Sequence, residues 1–272
     1  MPPSTVKGKR VFALPKSRWF CLRRVPCDLS LVALLFISIC QLSPAQAAPE
    51  IPFYSRANSF GILAAYSDDS SHILLGLAEN RKLLQIGVSY SRRLFIDRMV
   101  NWQYDGELLP VALDSDPVEN LTSTVTFTNP PMTTTSTTSF PTSTACQPSS
   151  GSGTFPDGSG SYTYTANCGR RWVVGEGMSP IGFQWNFMPR RKQQPFLVGH
   201  GGYMYSTQPI PVVDSGSFNF TFDFGVGVEL YRSHSRSLRV EYRYHHISNH
   251  NTAEINPGID NGLFQASYVF GR

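Results

Sequence analysis

The stretch SFNFTFDFGVGVEL, residues 217–230, constrains this chain more than any other. Phe218, Phe220, Phe222, Phe224, Val226, Val228 and Leu230 share one parity, and Asn219, Thr221, Asp223, Gly225, Gly227 and Glu229 share the other. A period of two puts alternate side chains on opposite faces of an extended strand, whereas a helix needs apolar residues three and four apart. One face of this strand is wholly apolar and the other is polar or glycine. The pattern returns in IGFQWNF (181–187), in LLQIGVSY (83–90) and in Phe264, Ala266, Tyr268 and Phe270. After residue 47 no segment shows a long helical period, so the expected fold is all-β.

A soluble sandwich alternates in the same way. Three features favour a transmembrane barrel. The apolar faces are rich in Phe, Tyr and Trp near strand ends, as in the aromatic girdles of barrels in a bilayer. The last strand, LFQASYVFGR, contains aromatics and runs almost to the final residue. Short connections (MPRRKQQ, RSHSR) alternate with longer ones (about 206–216 and 249–261), as periplasmic turns alternate with outer loops. The expected strands are 58–67, 82–95, 98–110, 178–188, 194–206, 217–231, 236–248 and 262–270. They describe an eight-stranded antiparallel β-barrel of the outer membrane, small enough for side chains to fill its interior. The apolar piece HILLGLA (72–78) fits no strand and is expected to extend the first hairpin or lie at the rim.

The N-terminus carries Lys7, Lys9, Arg10, Lys16, Arg18, Arg23 and Arg24, then the apolar run Leu29 to Cys40 and an Ala45-Gln46-Ala47 cleavage pattern. This reads as a signal peptide over 1–47, leaving 48–272 as the barrel. The run of about a dozen apolar residues is shorter than the roughly 20 a spanning helix needs. The signal holds seven of the 23 basic and one of the 19 acidic residues, so 16 basic face 18 acidic groups in the remainder. With no basic surplus, nothing points to a nucleic-acid partner.

Removing 1–47 also removes Cys21, Cys27 and Cys40. In an oxidising compartment the remaining Cys146 and Cys168 most simply pair. They fall in a Thr/Ser/Gly/Pro-rich tract, 114–172, whose composition buries too little apolar area to offset ordering. That tract is expected to be a largely mobile, low-complexity extracellular loop, pinned in its second half by the disulfide.

One strand carries chemistry. In SLRVEYRYHHISN the outward parity Leu238, Val240, Tyr242, Tyr244 continues to His246 and Ser248, while Arg239, Glu241, Arg243 and His245 face inward. With Asp223 and Glu229, the inward set is expected to form a charge network in the lumen. Polar groups on a lipid face are costly unless paired, so His246 and Ser248 are a candidate site. The penultimate strand of a barrel whose C-terminus is periplasmic runs outward, which delivers Ser248 to the outer rim. His246 is placed to act as base for Ser248, and a carboxylate is needed to orient the imidazole. Glu254 and Asp260 are both available.

The segment RYHHISNHNTAEINPGIDNG resembles the outer-membrane lipid A 3-O-deacylases of the PagL type. His246, Ser248 and Asn249 match that family's His-x-Ser-Asn motif, and Asn256, Gly258 and Ile259 match the segment before its acidic residue. That residue is usually Glu, and here it is Asp260, one methylene shorter. The resemblance is carried best by 178–270 and more weakly by 58–110. It implies a serine esterase of the bacterial outer membrane, with the Ser248, His246 and Asp260 triad on the lipid-facing exterior. Its substrate would be lipid A of lipopolysaccharide among the outer-membrane lipids, cleaved at the 3-position ester without metal or other cofactor. Asn249 and Asn256, with Gly258 in support, are the candidates for holding the oxyanion. The alternatives are a non-catalytic barrel (an adhesin or structural protein) and a lipid A acyltransferase with a lumenal acyl pocket. A homodimer is an open assembly.

Overall fold

The alternating segments pair edge to edge in a computed structural model that describes residues 52–272; the expected signal peptide, 1–47, lies outside the described residues. The strands are β1 (Asn58–Ser67), β2 (Lys82–Ile96), β3 (Val100–Thr128), β4 (Pro131–Pro141), β5 (Ser149–Thr154), β6 (Gly160–Phe187), β7 (Gln193–Ser206), β8 (Phe218–Ser233), β9 (Arg236–Ser248) and β10 (Ile259–Gly271). All pairings are antiparallel, in the order β4-β3-β2-β1-β10-β9-β8-β7-β6-β5. An additional β3–β6 ladder closes eight of these strands into a ring, leaving β4 and β5 outside it. The eight ring members start and stop close to the expected strands, except at β3 and β6. Closure removes the exposed edges that an open sheet would present.

The ring sorts its side chains as the period of two dictates. Phe218, Phe220, Phe222, Phe224, Val226, Val228, Leu230, Leu238, Tyr242, Phe264, Tyr268 and Phe270 all project outward and are exposed. In water such an apolar belt would be unstable, and a bilayer is the solvent that suits it. Aromatic pairs cluster on this outer wall, with Trp102 against Trp185 at 6.4 Å and Phe60 against Tyr90 at 5.3 Å.

Inside lies the expected charge network, except that His245, though buried there, joins none of its ion pairs among the described residues. The Arg243 guanidinium donates to both oxygens of Glu107 (2.8 and 3.1 Å) and to Glu241 Oε1 (2.9 Å), and Gln265 Nε2 donates to the same two carboxylates. Arg239 lies between Asp105 and Glu229, Arg56 reaches Glu229, and His200 Nδ1 pairs with Asp223 Oδ1 at 2.9 Å. Buried charges are tolerated only when paired this densely.

The tract 114–172 departs from expectation: it is mostly strand rather than loop. β3 and β6 continue their shared ladder beyond the ring, up to Phe127↔Gly160, and β4 and β5 pair along their free edges. The result is a four-stranded sheet standing on one end of the barrel. Composition suggested disorder because the tract is poor in apolar residues. Its threonines, however, are β-branched and suit a strand, and the ladder they extend is already nucleated by the ring. Cys146 and Cys168 form a disulfide that joins the β4–β5 connection to β6.

The segment 68–80 joins β1 to β2 without forming a strand of its own. It lies along the start of β10 as a strap at the rim, with bridges Ser70↔Asn261 and Ala78↔Ile259. Arg81 anchors its end: fully buried, it pairs with Asp116 at 3.1 Å and donates to the carbonyls of Glu79, Thr142, Ser143 and Pro211.

Candidate active site

β9 places Tyr244, His246 and Ser248 on its outward parity, and His245 on the inward one, as the alternation requires. His246 and Tyr244 are nonetheless buried, at 6% and 8% exposure, because the strap and the β8 aromatics cover them. The ring of Phe222 packs 5.1 Å from that of His246 and 5.8 Å from that of Tyr244.

β10 pairs with β9 so that Asp260 stands directly across from His246. Paired residues in an antiparallel ladder project to the same side, which brings the carboxylate beside the imidazole. His246 Nδ1 and Asp260 Oδ1 are 2.6 Å apart. The same Oδ1 accepts from the Tyr244 hydroxyl at 2.8 Å, and Oδ2 accepts from the backbone amides of Leu74 and Leu75 at 2.7 and 2.8 Å. Asp260 is fully buried. A buried carboxylate with four donors stays fixed in place. Glu254, the other available carboxylate, is exposed in the β9–β10 connection.

Ser248 ends β9, paired with Phe220 of β8. It lines an open groove of about 520 Å³ together with His246, Leu75, Phe220, Thr221, Phe222 and His250. The hydroxyl and the imidazole thus share one apolar-walled groove on the outside of the ring.

The remaining predicted residues hold the β9–β10 connection. Asn249 Nδ2 donates to the carbonyls of Ser215 and Ile255, its Oδ1 accepts from the amide of Asn251, and its own amide donates to Asn256 Oδ1 at 3.1 Å. Both Nδ2 protons of Asn249 and its backbone N–H are therefore committed, one of them to Ser215 of the β7–β8 connection and the others within the β9–β10 turn. Gly258 adopts φ +63°, and a Cβ there would approach His246 Cε1 to 3.1 Å, so a side chain would be both strained and crowded.

Three contributors escaped the sequence: the Tyr244 hydroxyl and the amides of Leu74 and Leu75. The signal for Tyr244 was its parity with His246. The only signal for the strap was that HILLGLA suited no strand. Gly76 makes the strap's approach feasible, because a Cβ there would come within 2.5 Å of the Asp260 nitrogen and 2.9 Å of its Cγ.

No curated protein matches the chain. The chain is similar to the crystal structure of the outer membrane enzyme PagL, at 12% identity and TM-score 0.43, with 78% of this chain and 99% of that one covered. It is also similar to Neisserial surface protein A, at 13% identity and TM-score 0.38, covering 79% and 97%. The outer membrane protein OprG from Pseudomonas aeruginosa follows at 10% and 0.35, covering 81% and 100%. The family model for lipid A 3-O-deacylase (PagL) matches residues 134–269, half of the chain, including His246, Ser248 and Asp260. The chain belongs to the PagL family of lipid A deacylases, β-barrels of the bacterial outer membrane.

Proposed function

We propose that this protein is a serine esterase that hydrolyses the acyl ester at the 3 position of lipid A, working from the lipid-facing outside of its barrel. The observation that carries the proposal is the 2.6 Å contact between outward-facing His246 and buried Asp260, in the groove that Ser248 also lines. With Nδ1–H donated to Asp260, the imidazole leaves Nε2 as its acceptor nitrogen for the groove that Ser248 lines.

Ser248 Oγ attacks the ester carbonyl as its proton passes to His246 Nε2. The tetrahedral intermediate collapses, the bond to the sugar oxygen breaks, and His246 returns the proton to that oxygen. Water, deprotonated by His246, then releases the fatty acid and regenerates Ser248. Asp260 stays ionised and stabilises the imidazolium in both halves. The Asn256 side-chain amide nitrogen, whose neighbouring Oδ1 accepts from the Asn249 N–H, is the candidate for the oxyanion.

Phe220, Phe222 and Leu75 give the acyl chain an apolar groove continuous with the outer wall. The interior is occupied by Arg239, Glu241, Arg243 and Glu107, which disfavours a lumenal acyl pocket and hence the acyltransferase alternative. Facing the outer leaflet, the groove would receive its substrate without extraction from the membrane.

The test is mass spectrometry of lipid A from Gram-negative cells expressing the chain or its Ser248→Ala variant at matched outer-membrane levels. Loss of one acyl chain only with the intact serine is expected. Gain of a chain would make the protein an acyltransferase, and unchanged lipid A with both folded proteins would sink the esterase reading.

A further inference from the structure

The strap and Tyr244 have no part in the triad itself, yet they surround its carboxylate. We infer that Tyr244 and the amides of Leu74 and Leu75 form a clasp that fits an aspartate at position 260 and positions it against His246. The inference rests on the triad reading above and identifies what makes its acid member work.

Three observations support it. Each hydrogen bond to the Asp260 carboxylate other than that of His246 comes from a clasp donor: Tyr244 Oη on Oδ1, and the Leu74 and Leu75 amides on Oδ2. The clasp is closely fitted, since Gly76 runs so near Asp260 that even a Cβ would collide with it. The strap is also tied independently at both ends, through the Ser70↔Asn261 and Ala78↔Ile259 bridges, so its amides do not depend on Asp260 for their place.

This account also explains the residue type. The resemblance implies a glutamate, and this chain has an aspartate. Standing directly opposite His246 in the ladder, Asp260 needs no longer reach. Its shorter side chain leaves one rotatable bond fewer to fix, and the clasp fixes the rest. A glutamate here would carry its carboxylate past Tyr244 and into the strap.

Tyr244 is a positioning residue, because it acts on substrate only through Asp260 and His246. Its test is a double-mutant cycle on the full-length enzyme folded in detergent, with fatty-acid release from lipid A in mixed micelles as the readout. Tyr244→Phe keeps the ring and removes the hydroxyl. It is expected to lower kcat about tenfold, as for loss of one hydrogen bond to a charged group, with KM unchanged. Made on top of Asp260→Asn, the same change is expected to cost nothing further. Asp260→Glu is expected to lower kcat rather than raise it.

Full kcat in Tyr244→Phe, an equal loss in both backgrounds, or a gain in Asp260→Glu would each overturn the clasp. Ser248→Ala separates the two levels. Activity that survives it removes the triad reading and the clasp with it, whereas activity lost there but intact in Tyr244→Phe removes the clasp alone.

Discussion

The barrel wall and the sheet that rises from it share two strands and one continuous ladder, yet they sort their side chains by different rules. In the wall every strand has an apolar side and a charged or polar side, so register is enforced by two contrasting environments. In the sheet both faces meet water. One face is a grid of hydroxyls: Thr137, Thr122, Thr165 and Ser150 align in one row, Thr135, Thr124, Thr163 and Ser152 in the next, and Thr133, Thr126, Ser161 and Thr154 in a third. The threonines of β3 and β4 contact one another at 3.1 to 3.3 Å across each row. A slip of one residue would reverse a wall strand, and in the sheet it would exchange the hydroxyl grid for the face that carries Leu121, Val125, Phe127, Tyr162 and Tyr164, both faces being largely open. The sheet holds its register by inheritance from β3 and β6, by these hydroxyl pairs and by the disulfide.

The largest difference should appear when a buried charge loses its partner. Arg243→Met leaves Glu107 and Glu241 facing each other in the lumen and should cost about 3–5 kcal/mol in denaturant unfolding of the detergent-folded protein. A loss under 1 kcal/mol would mean that the network is not what fills the barrel.

A positive charge on the outside separates the two regions next. Val226→Arg, on the lipid face, should cost about 2–4 kcal/mol in bilayers, while Thr124→Arg in the sheet should cost no more than about 1 kcal/mol, the worth of the hydroxyl pair it removes. Equal effects at the two positions would erase the distinction between a wall solvated by lipid and a sheet solvated by water.

Replacing Cys146 and Cys168 by serine removes the crosslink that closes the β4–β5 connection onto β6. Its worth is up to about 3 kcal/mol, and the loss should stay local. Limited proteolysis should speed up between 141 and 160 while the barrel's unfolding midpoint holds. A shifted midpoint would show that wall and sheet unfold as one unit. The smallest change is Thr124→Ala, which removes one hydroxyl pair and should cost about 0.2–1 kcal/mol of sheet stability, read as amide exchange in β3 and β4.

How much of this was legible follows from the same contrast. Wall strands could be read from alternation because lipid and lumen impose opposite chemistry on successive residues, and the inward Arg239, Glu241, Arg243 and His245 lie where parity placed them. The same parity put His246 and Ser248 outside. The tract 114–172 reads as loop from its Thr/Ser/Gly/Pro composition, although Leu121, Val125 and Phe127 alternate with Thr122, Thr124 and Thr126 in a short period of two. The order of its strands comes from a ladder nucleated elsewhere in the chain.

The site was legible to the extent that side chains define it. The residues alone leave Asp260 and Glu254 open and the resemblance points to Asp260, which the β9–β10 register sets opposite His246. The strap was invisible because it acts through backbone amides, which every residue but proline possesses. Asn249 holds its motif position, and its hydrogen bonds, which tie the β9–β10 turn to Ser215 of the β7–β8 connection, could not be read from the motif.

The central claim is that Ser248 is a nucleophile activated by His246 and Asp260 on the outer wall. Covalent capture tests it most directly: the folded protein is treated with a long-chain alkyl fluorophosphonate in detergent, and the modified residue is mapped by peptide mass spectrometry. The account predicts a single adduct on Ser248, formed much more slowly in the Asp260→Asn variant. An adduct on another residue, or an unmodified Ser248 in protein that still deacylates lipid A, would contradict it.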